Sequence, residues 1–267
     1  MRLALNHATT KRWPLPDAVI ACAEAGLAGI GLWREEVTAY GLDATAKLVR
    51  DAGVPVTSLC RGGFFSAPDW FDDNRRAIDE AAVLGAPTLV LVSGGLPTGS
   101  RDIDAARAHV GGAVGELVPH AQAAGVRLAI EPLHPMFCSD RCVVSTLGQA
   151  LDLAEPYPAE AVGVVVDTYH LWWDDQVWAQ IARAGATGRI ACFQLADWIT
   201  PLPEGVLLGR GLPGTGCIPM RRFRDAVDAA GYTGPIEVEV FHADLWDRPG
   251  RDVFAEMVEG YREHVEG

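Results

Sequence analysis

The chain has 267 residues, 49% hydrophobic and 21% charged, with a formal net charge of −13. That composition provides for one large core. So acidic a surface excludes general binding to nucleic acid or to anionic membranes, both of which need clustered Lys and Arg. No apolar run has the length of a membrane span, and the opening Met1-Arg2-Leu3-Ala4-Leu5-Asn6-His7 reads as a first strand rather than a leader.

Short apolar runs alternate with longer amphipathic segments throughout. The runs are Leu3–Asn6, Gly29–Trp33, Val54–Leu59, Thr88–Val92, Arg127–Glu131, Val162–Asp167, Arg189–Leu195 and Pro235–Phe241. Their continuous, β-branched character is that of strands covered on both faces. Helical patterns fill the gaps: Pro16–Ala25, Asp43–Ala52, Asp69–Leu84, Asp102–Ala124, Ser145–Ala154, Asp174–Ala184, Pro219–Ala230 and Gly250–His264. Asp69 and Ser145 are expected N-caps, and Gly53, Gly85, Gly125, Gly185 and Gly231 are expected stops. Eight strand–helix units predict a single (β/α)8 TIM barrel over residues 1–267, with no linker or second domain. A doubly wound sheet would normally carry a glycine-rich phosphate turn after an early strand, and none follows the first run.

In a barrel the loops after the strands carry function. Polar residues collect there: Asn6-His7, Trp33-Arg34-Glu35-Glu36, Arg61-Gly62-Gly63, Ser93-Gly94-Gly95, Glu131-Pro132-Leu133-His134 and Asp167-Thr168-Tyr169-His170. Side chains alternate along a strand, so Arg127, Ala129 and Glu131 share one face, as do Gly163, Val165 and Asp167, and as do Glu237 and Glu239. A carboxylate at the tip of a buried strand needs a cation or hydrogen-bond donors. If Glu131, Asp167 and Glu239 face the axis, Gln194 completes an all-oxygen set that favours Mn²⁺, with Mg²⁺ or Co²⁺ as alternatives, over Zn²⁺. Carboxylate–arginine pairing is the competing account of each tip. One layer down, Glu237 is expected to pair with Arg127.

Six cysteines, Cys22, Cys60, Cys138, Cys142, Cys192 and Cys217, show neither zinc-knuckle nor redox spacing. They read as reduced thiols of a cytoplasmic protein, with Cys138 and Cys142 the weaker metal alternative. Trp172 and Trp173 read as packing residues or as an apolar lid, and Arg34, Arg61 and Arg210 as possible phosphate contacts.

The ordered motifs Glu131-Pro132-Leu133, Asp167-Thr168-Tyr169-His170, Gln194-Leu195-Ala196-Asp197, Arg210-Gly211-Leu212-Pro213-Gly214-Thr215-Gly216 and Glu237-Val238-Glu239-Val240-Phe241 span nearly the whole chain. In them the sequence resembles the sugar phosphate isomerase/epimerase group of xylose isomerase-like TIM barrels. That superfamily includes ketose 3-epimerases, inosose dehydratases, keto-inositol isomerases, hydroxypyruvate isomerases and the endonuclease IV nucleases. The last carry a histidine-rich zinc cluster that this chain lacks. The resemblance implies metal ligands at Glu131, Asp167, Gln194 and Glu239, where Gln194 departs from the group's usual histidine. It implies substrate contacts at His170 and Arg210. His7, Trp33, Arg61 and His134 join them by their position at the barrel mouth.

With Glu131 and Glu239 as the catalytic pair, the expected activity is metal-dependent isomerisation or epimerisation of a small hydroxy-carbonyl compound. Dehydration of an oxidised sugar or cyclitol, and metal-free ligand binding, are the alternatives. The expected partner is a small carbohydrate or cyclitol, with a homodimer suggested by the resemblance.

Overall fold

The computed structural model describes residues 1–266. Eight parallel strands close into a barrel: β1 (Leu3–Asn6), β2 (Gly29–Trp33), β3 (Val56–Gly63), β4 (Thr88–Val92), β5 (Arg127–Ile130), β6 (Val162–Asp167), β7 (Ile190–Leu195) and β10 (Ile236–Val238). The circuit closes through β1 beside β10, where Leu5 pairs with Val238. Between β7 and β10 a two-residue antiparallel ribbon, β8 (Asp197–Trp198) and β9 (Arg210–Gly211), stands over the C-terminal mouth.

Helices clothe the outside, and the aliphatic faces between them and the strands form the main core. The interior holds a separate small cluster of Cys60, Val90, Ala129, Val165 and Cys192. Strand alternation therefore works as expected: Ala129 and Val165, two residues before Glu131 and Asp167, point inward.

The helix stops at Gly85 and Gly125 adopt the left-handed conformation, with φ of 68° and 70°. The sixth helix, Leu147–Ala154, is capped by Thr146, whose side chain accepts the Gln149 N–H, rather than by Ser145. Asp69 occupies the N-cap of Trp70–Leu84 without a side-chain cap bond. Arg34, Glu35 and Glu36, read as mouth residues, open a helix of their own, Arg34–Tyr40. Arg34 there binds Asp73 at 3.0 Å and Glu80 at 2.6 Å, which removes it from the phosphate candidates.

The expected Arg127–Glu237 pair does not form. Arg127 donates to Gly188 O at 2.7 Å. Glu237 instead accepts from Thr57 Oγ1 at 2.6 Å, Asn6 Nδ2 at 3.1 Å and Gln194 Nε2 at 3.2 Å. The two residues border one cavity of about 760 Å³ at the N-terminal end of the barrel, together with Tyr232 and Glu160. The stagger of a closed barrel separates them. Leu128, next to Arg127, pairs with Val162 at the start of β6, whereas Glu237 pairs with Gln194, itself level with Asp167 at the end of β6.

Candidate metal centre

Glu131 follows β5, Asp167 ends β6, Gln194 lies in β7 and Glu239 follows β10. All four are buried: Asp167 and Gln194 fully, Glu239 and Glu131 to within 5%. The main chain fixes two of them. Glu131 N–H donates to Leu91 O at 3.0 Å and Glu239 N–H to Leu195 O at 2.9 Å, extending the ladder one residue past each strand. Asp167 Oδ1 caps the next turn by accepting the Tyr169 N–H at 2.7 Å, which leaves Oδ2 for the mouth.

One cation enters this group. Arg210 Nη1 donates to Glu239 Oε2 at 3.1 Å and lies 3.6 Å from Asp167 Oδ2. Its guanidinium is sandwiched between the rings of Tyr169 and Phe241, each 4.8 Å from the ring centroid. Sequence reasoning quoted both aromatics without giving them this role; their spacing from Asp167 and Glu239 was the available signal. The ribbon positions Arg210 at the mouth. Asp197 anchors the segment beyond it, accepting the N–H groups of Gly214, Gly216 and Ile218.

His170 is fully buried and ends in the same space, with Nε2 3.7 Å from Asp167 Oδ2 and 4.0 Å from Glu131 Oε1. Glu131, Asp167 and His170 thus form a possible three-donor metal group. The hydrogen bonds argue against the imidazole as ligand. His134 N–H donates to His170 Nδ1 at 3.1 Å, so a neutral ring carries its proton on Nε2. Burial, reinforced by Arg210, holds the ring well below its ordinary pKa and hence neutral. Arg210 Nη2, 3.1 Å from Nε2, then faces another donor. Of the two groups facing the ring, the backbone N–H is fixed by the chain, whereas the guanidinium is a side chain.

Burial also dominates the carboxylates. With repulsion from Glu239 and Asp167, it pushes Glu131 well above the usual range. It pushes Glu239 up to about 7 and Asp167 to about 6, in both cases against the attraction of Arg210. Three carboxylates face one guanidinium, so two negative charges are left over when all are ionised. Asp167 Oδ2 and Gln194 Oε1 are moreover buried oxygens with no hydrogen-bond donor. Surplus negative charge and unpartnered oxygens fit a hard divalent cation held by Glu131, Asp167, Gln194 and Glu239.

The other expected site residues divide. Trp33 donates its indole N–H to Asn6 Oδ1 at 2.9 Å and meets Phe241 edge-on, a wall of the mouth. His134 meets Trp173 edge-on at a centroid distance of 5.6 Å and lies tilted against Trp198 at 5.1 Å. The Arg61 guanidinium lies over the Phe64 ring at 3.8 Å. His7 is buried in the turn after β1, where Nε2 meets Trp13 O at 3.0 Å. Trp172 packs on Trp198, and Trp173 donates to His170 O at 2.7 Å, so both support the His170 turn. All six cysteines are free, and Cys142 bonds to Ser93 and main-chain carbonyls rather than forming a site with Cys138.

Comparison with known proteins agrees with this architecture. A family model described as xylose isomerase-like TIM barrel matches residues 19–264. Protein SMc04130 from Sinorhizobium meliloti 1021, of known crystal structure, is 48% identical with a TM-score of 0.95, over 100% of this chain and 99% of that one. An inosose isomerase of Halalkalibacterium halodurans is 28% identical over 134 residues, so the match spans 49% of this chain and 45% of that relative. The IolI protein, solved with a bound zinc atom, shares the fold at 20% identity and a TM-score of 0.82, over 99% of this chain and 98% of that one.

Proposed function

The chain belongs to the xylose isomerase-like TIM barrel family, and from that premise we propose that it is a divalent-metal-dependent isomerase or epimerase of a small sugar or cyclitol carrying a hydroxyl next to a carbonyl. One observation carries this reading: the buried carboxylates Glu131, Asp167 and Glu239 end at the barrel mouth with more negative charge than Arg210 neutralises, and Gln194 Oε1 is buried there without a donor. A zinc-bound protein of the same fold and an isomerase among the relatives support it.

Glu131, Asp167, Gln194 and Glu239 would hold the cation, Mn²⁺ being the best match to an all-oxygen set. Bound there, it would polarise the substrate carbonyl and hydroxyl and stabilise the negative charge that develops on their oxygens.

The chain's own groups supply the rest. Glu131 and Glu239 reach the mouth from separate strands. As ionised carboxylates they would take up and return a carbon-bound proton that the bound cation acidifies. His170 Nε2–H and Arg210 present donors that converge at 3.1 Å, a contact that a substrate oxygen accepting from both would relieve. Trp33, Phe241 and the His134–Trp198 pair wall the site with apolar surface, which suits the C–H face of a ring or chain sugar.

The test is exchange of substrate carbon-bound hydrogen with deuterated water, over a panel of ketoses and inososes in the presence of Mn²⁺. Exchange with an epimer or isomer as product supports the proposal. Release of water from an inosose would instead make the protein a dehydratase. A panel with no exchange and no Mn²⁺ uptake would overturn the enzyme reading.

A further inference from the structure

Gln194 is not held as a free amide. Its Nε2 donates to Glu237 Oε2 at 3.2 Å and approaches Glu239 Oε1 at 3.5 Å. Both acceptors belong to the β10 side, where Gln194 and Glu237 are register partners. A planar amide carries its oxygen and nitrogen on opposite arms, so binding the nitrogen toward β10 turns Oε1 away from it. On its other side Gln194 is register partner to Asp167. Gln194 Oε1 and Asp167 Oδ2 are both buried without a donor. The flipped amide would place its nitrogen there and leave its oxygen against two carboxylates, which the acceptor-only chemistry of a carboxylate disfavours.

Glu237 is built to do this orienting. It is 1% exposed, yet among the described residues it makes no ion pair. Thr57 and Asn6 hold it from below and beside, leaving Oε2 to accept Gln194 as well. Gly31 clears the space: a β-carbon there would stand 2.6 Å from Glu237 Oε2. The proton-transfer chemistry proposed above makes no use of this carboxylate.

We propose that Glu237 is a positioning residue that locks the Gln194 amide with its oxygen toward the cation site, and so gives the site its preference for a hard, oxygen-seeking divalent ion. The inference rests on the metal-dependent reading and is tested without activity. Titration calorimetry of the metal-free protein with Mn²⁺, and separately with Zn²⁺, would compare wild type, Glu237→Gln, Gln194→Ala and the double variant. Groups that orient a metal ligand typically contribute 10–100-fold in affinity, so Glu237→Gln should weaken Mn²⁺ by about that factor. The same change should cost little in the Gln194→Ala background, because Glu237 acts through the amide. An equal loss in both backgrounds would mean a plain charge effect and would overturn the proposal; so would no loss in either.

Gln194→His covers the case in which Glu237→Gln fails to fold. A ring N–H can replace the amide donor to Glu237 and leave the other nitrogen for the metal, so Zn²⁺ should gain on Mn²⁺ by about tenfold or more. An unchanged ratio overturns the proposal. Wild type that binds neither ion refutes the metal-dependent reading itself; wild-type binding that Gln194→Ala leaves intact refutes this inference alone.

Discussion

Arg210 and Glu239 form a buried ion pair, Nη1 to Oε2 at 3.1 Å, with the two residues 4% and 3% exposed. Among the described residues the guanidinium is also the sole cation of the cluster, clamped by Tyr169 and Phe241. Removing one partner of a buried pair leaves the other charge uncompensated, at a cost of about 3–5 kcal/mol. Arg210→Met should therefore destabilise the metal-free protein by roughly that amount at pH 8. Below pH 5 the loss should shrink, because the carboxyl groups can protonate instead. Urea unfolding at the two pH values measures the difference.

Glu239→Gln keeps the size of the side chain and removes its basicity. It should destabilise the protein less than Arg210→Met does, since Asp167 still faces Arg210 at 3.6 Å, and slow hydrogen exchange at the substrate carbon by a factor on the order of 10²–10⁴. Full exchange in this variant would show that Glu239 is not a proton-transfer group.

The metal-free protein should lose stability as pH rises. Folding lifts Glu239 from 4.5 to about 7 and Asp167 from 3.8 to about 6, both chiefly through burial. A carboxyl raised on folding contributes stability that is present below its unfolded pKa and lost as pH climbs through the folded one. The window is therefore pH 4 to 7, with a slope of about 1.4 kcal/mol per pH unit for each proton involved. Cation binding needs the same groups ionised, so Mn²⁺ affinity should rise across this window and binding should release protons. Thermal melts with and without Mn²⁺ at pH 5 and pH 8 give both signs. A metal-free protein more stable at pH 8 contradicts the first expectation.

Gly31→Ala tests the polar belt inside the barrel. The added β-carbon would meet Glu237 Oε2 at 2.6 Å and Asn6 Nδ2 at 2.9 Å, and those groups are already bonded to each other. Overpacking of this kind costs about 1–3 kcal/mol. The variant should melt lower and bind Mn²⁺ more weakly than wild type, since the crowding falls on the residue that holds Gln194.

The architecture was legible in the sequence because its signals are local. Apolar runs and helix stops such as Gly85 and Gly125 depend on a few neighbouring residues. Alternation along a strand is equally local, and it put Glu131 on one face with Ala129 and Asp167 on one face with Val165, the face that the interior cluster shows to be inward. What a residue meets inside the barrel depends on the stagger between strands, which no single strand records. That is why Arg127 and Glu237, matched by counting down from two tips, do not pair, and why Glu237 meets Asn6, Thr57 and Gln194 from other strands. The Tyr169–Arg210–Phe241 sandwich likewise joins three separate segments of chain. The sequence determined by itself which residues stand at the mouth. Tertiary structure alone decided which of them touch, because those contacts join segments far apart in the chain.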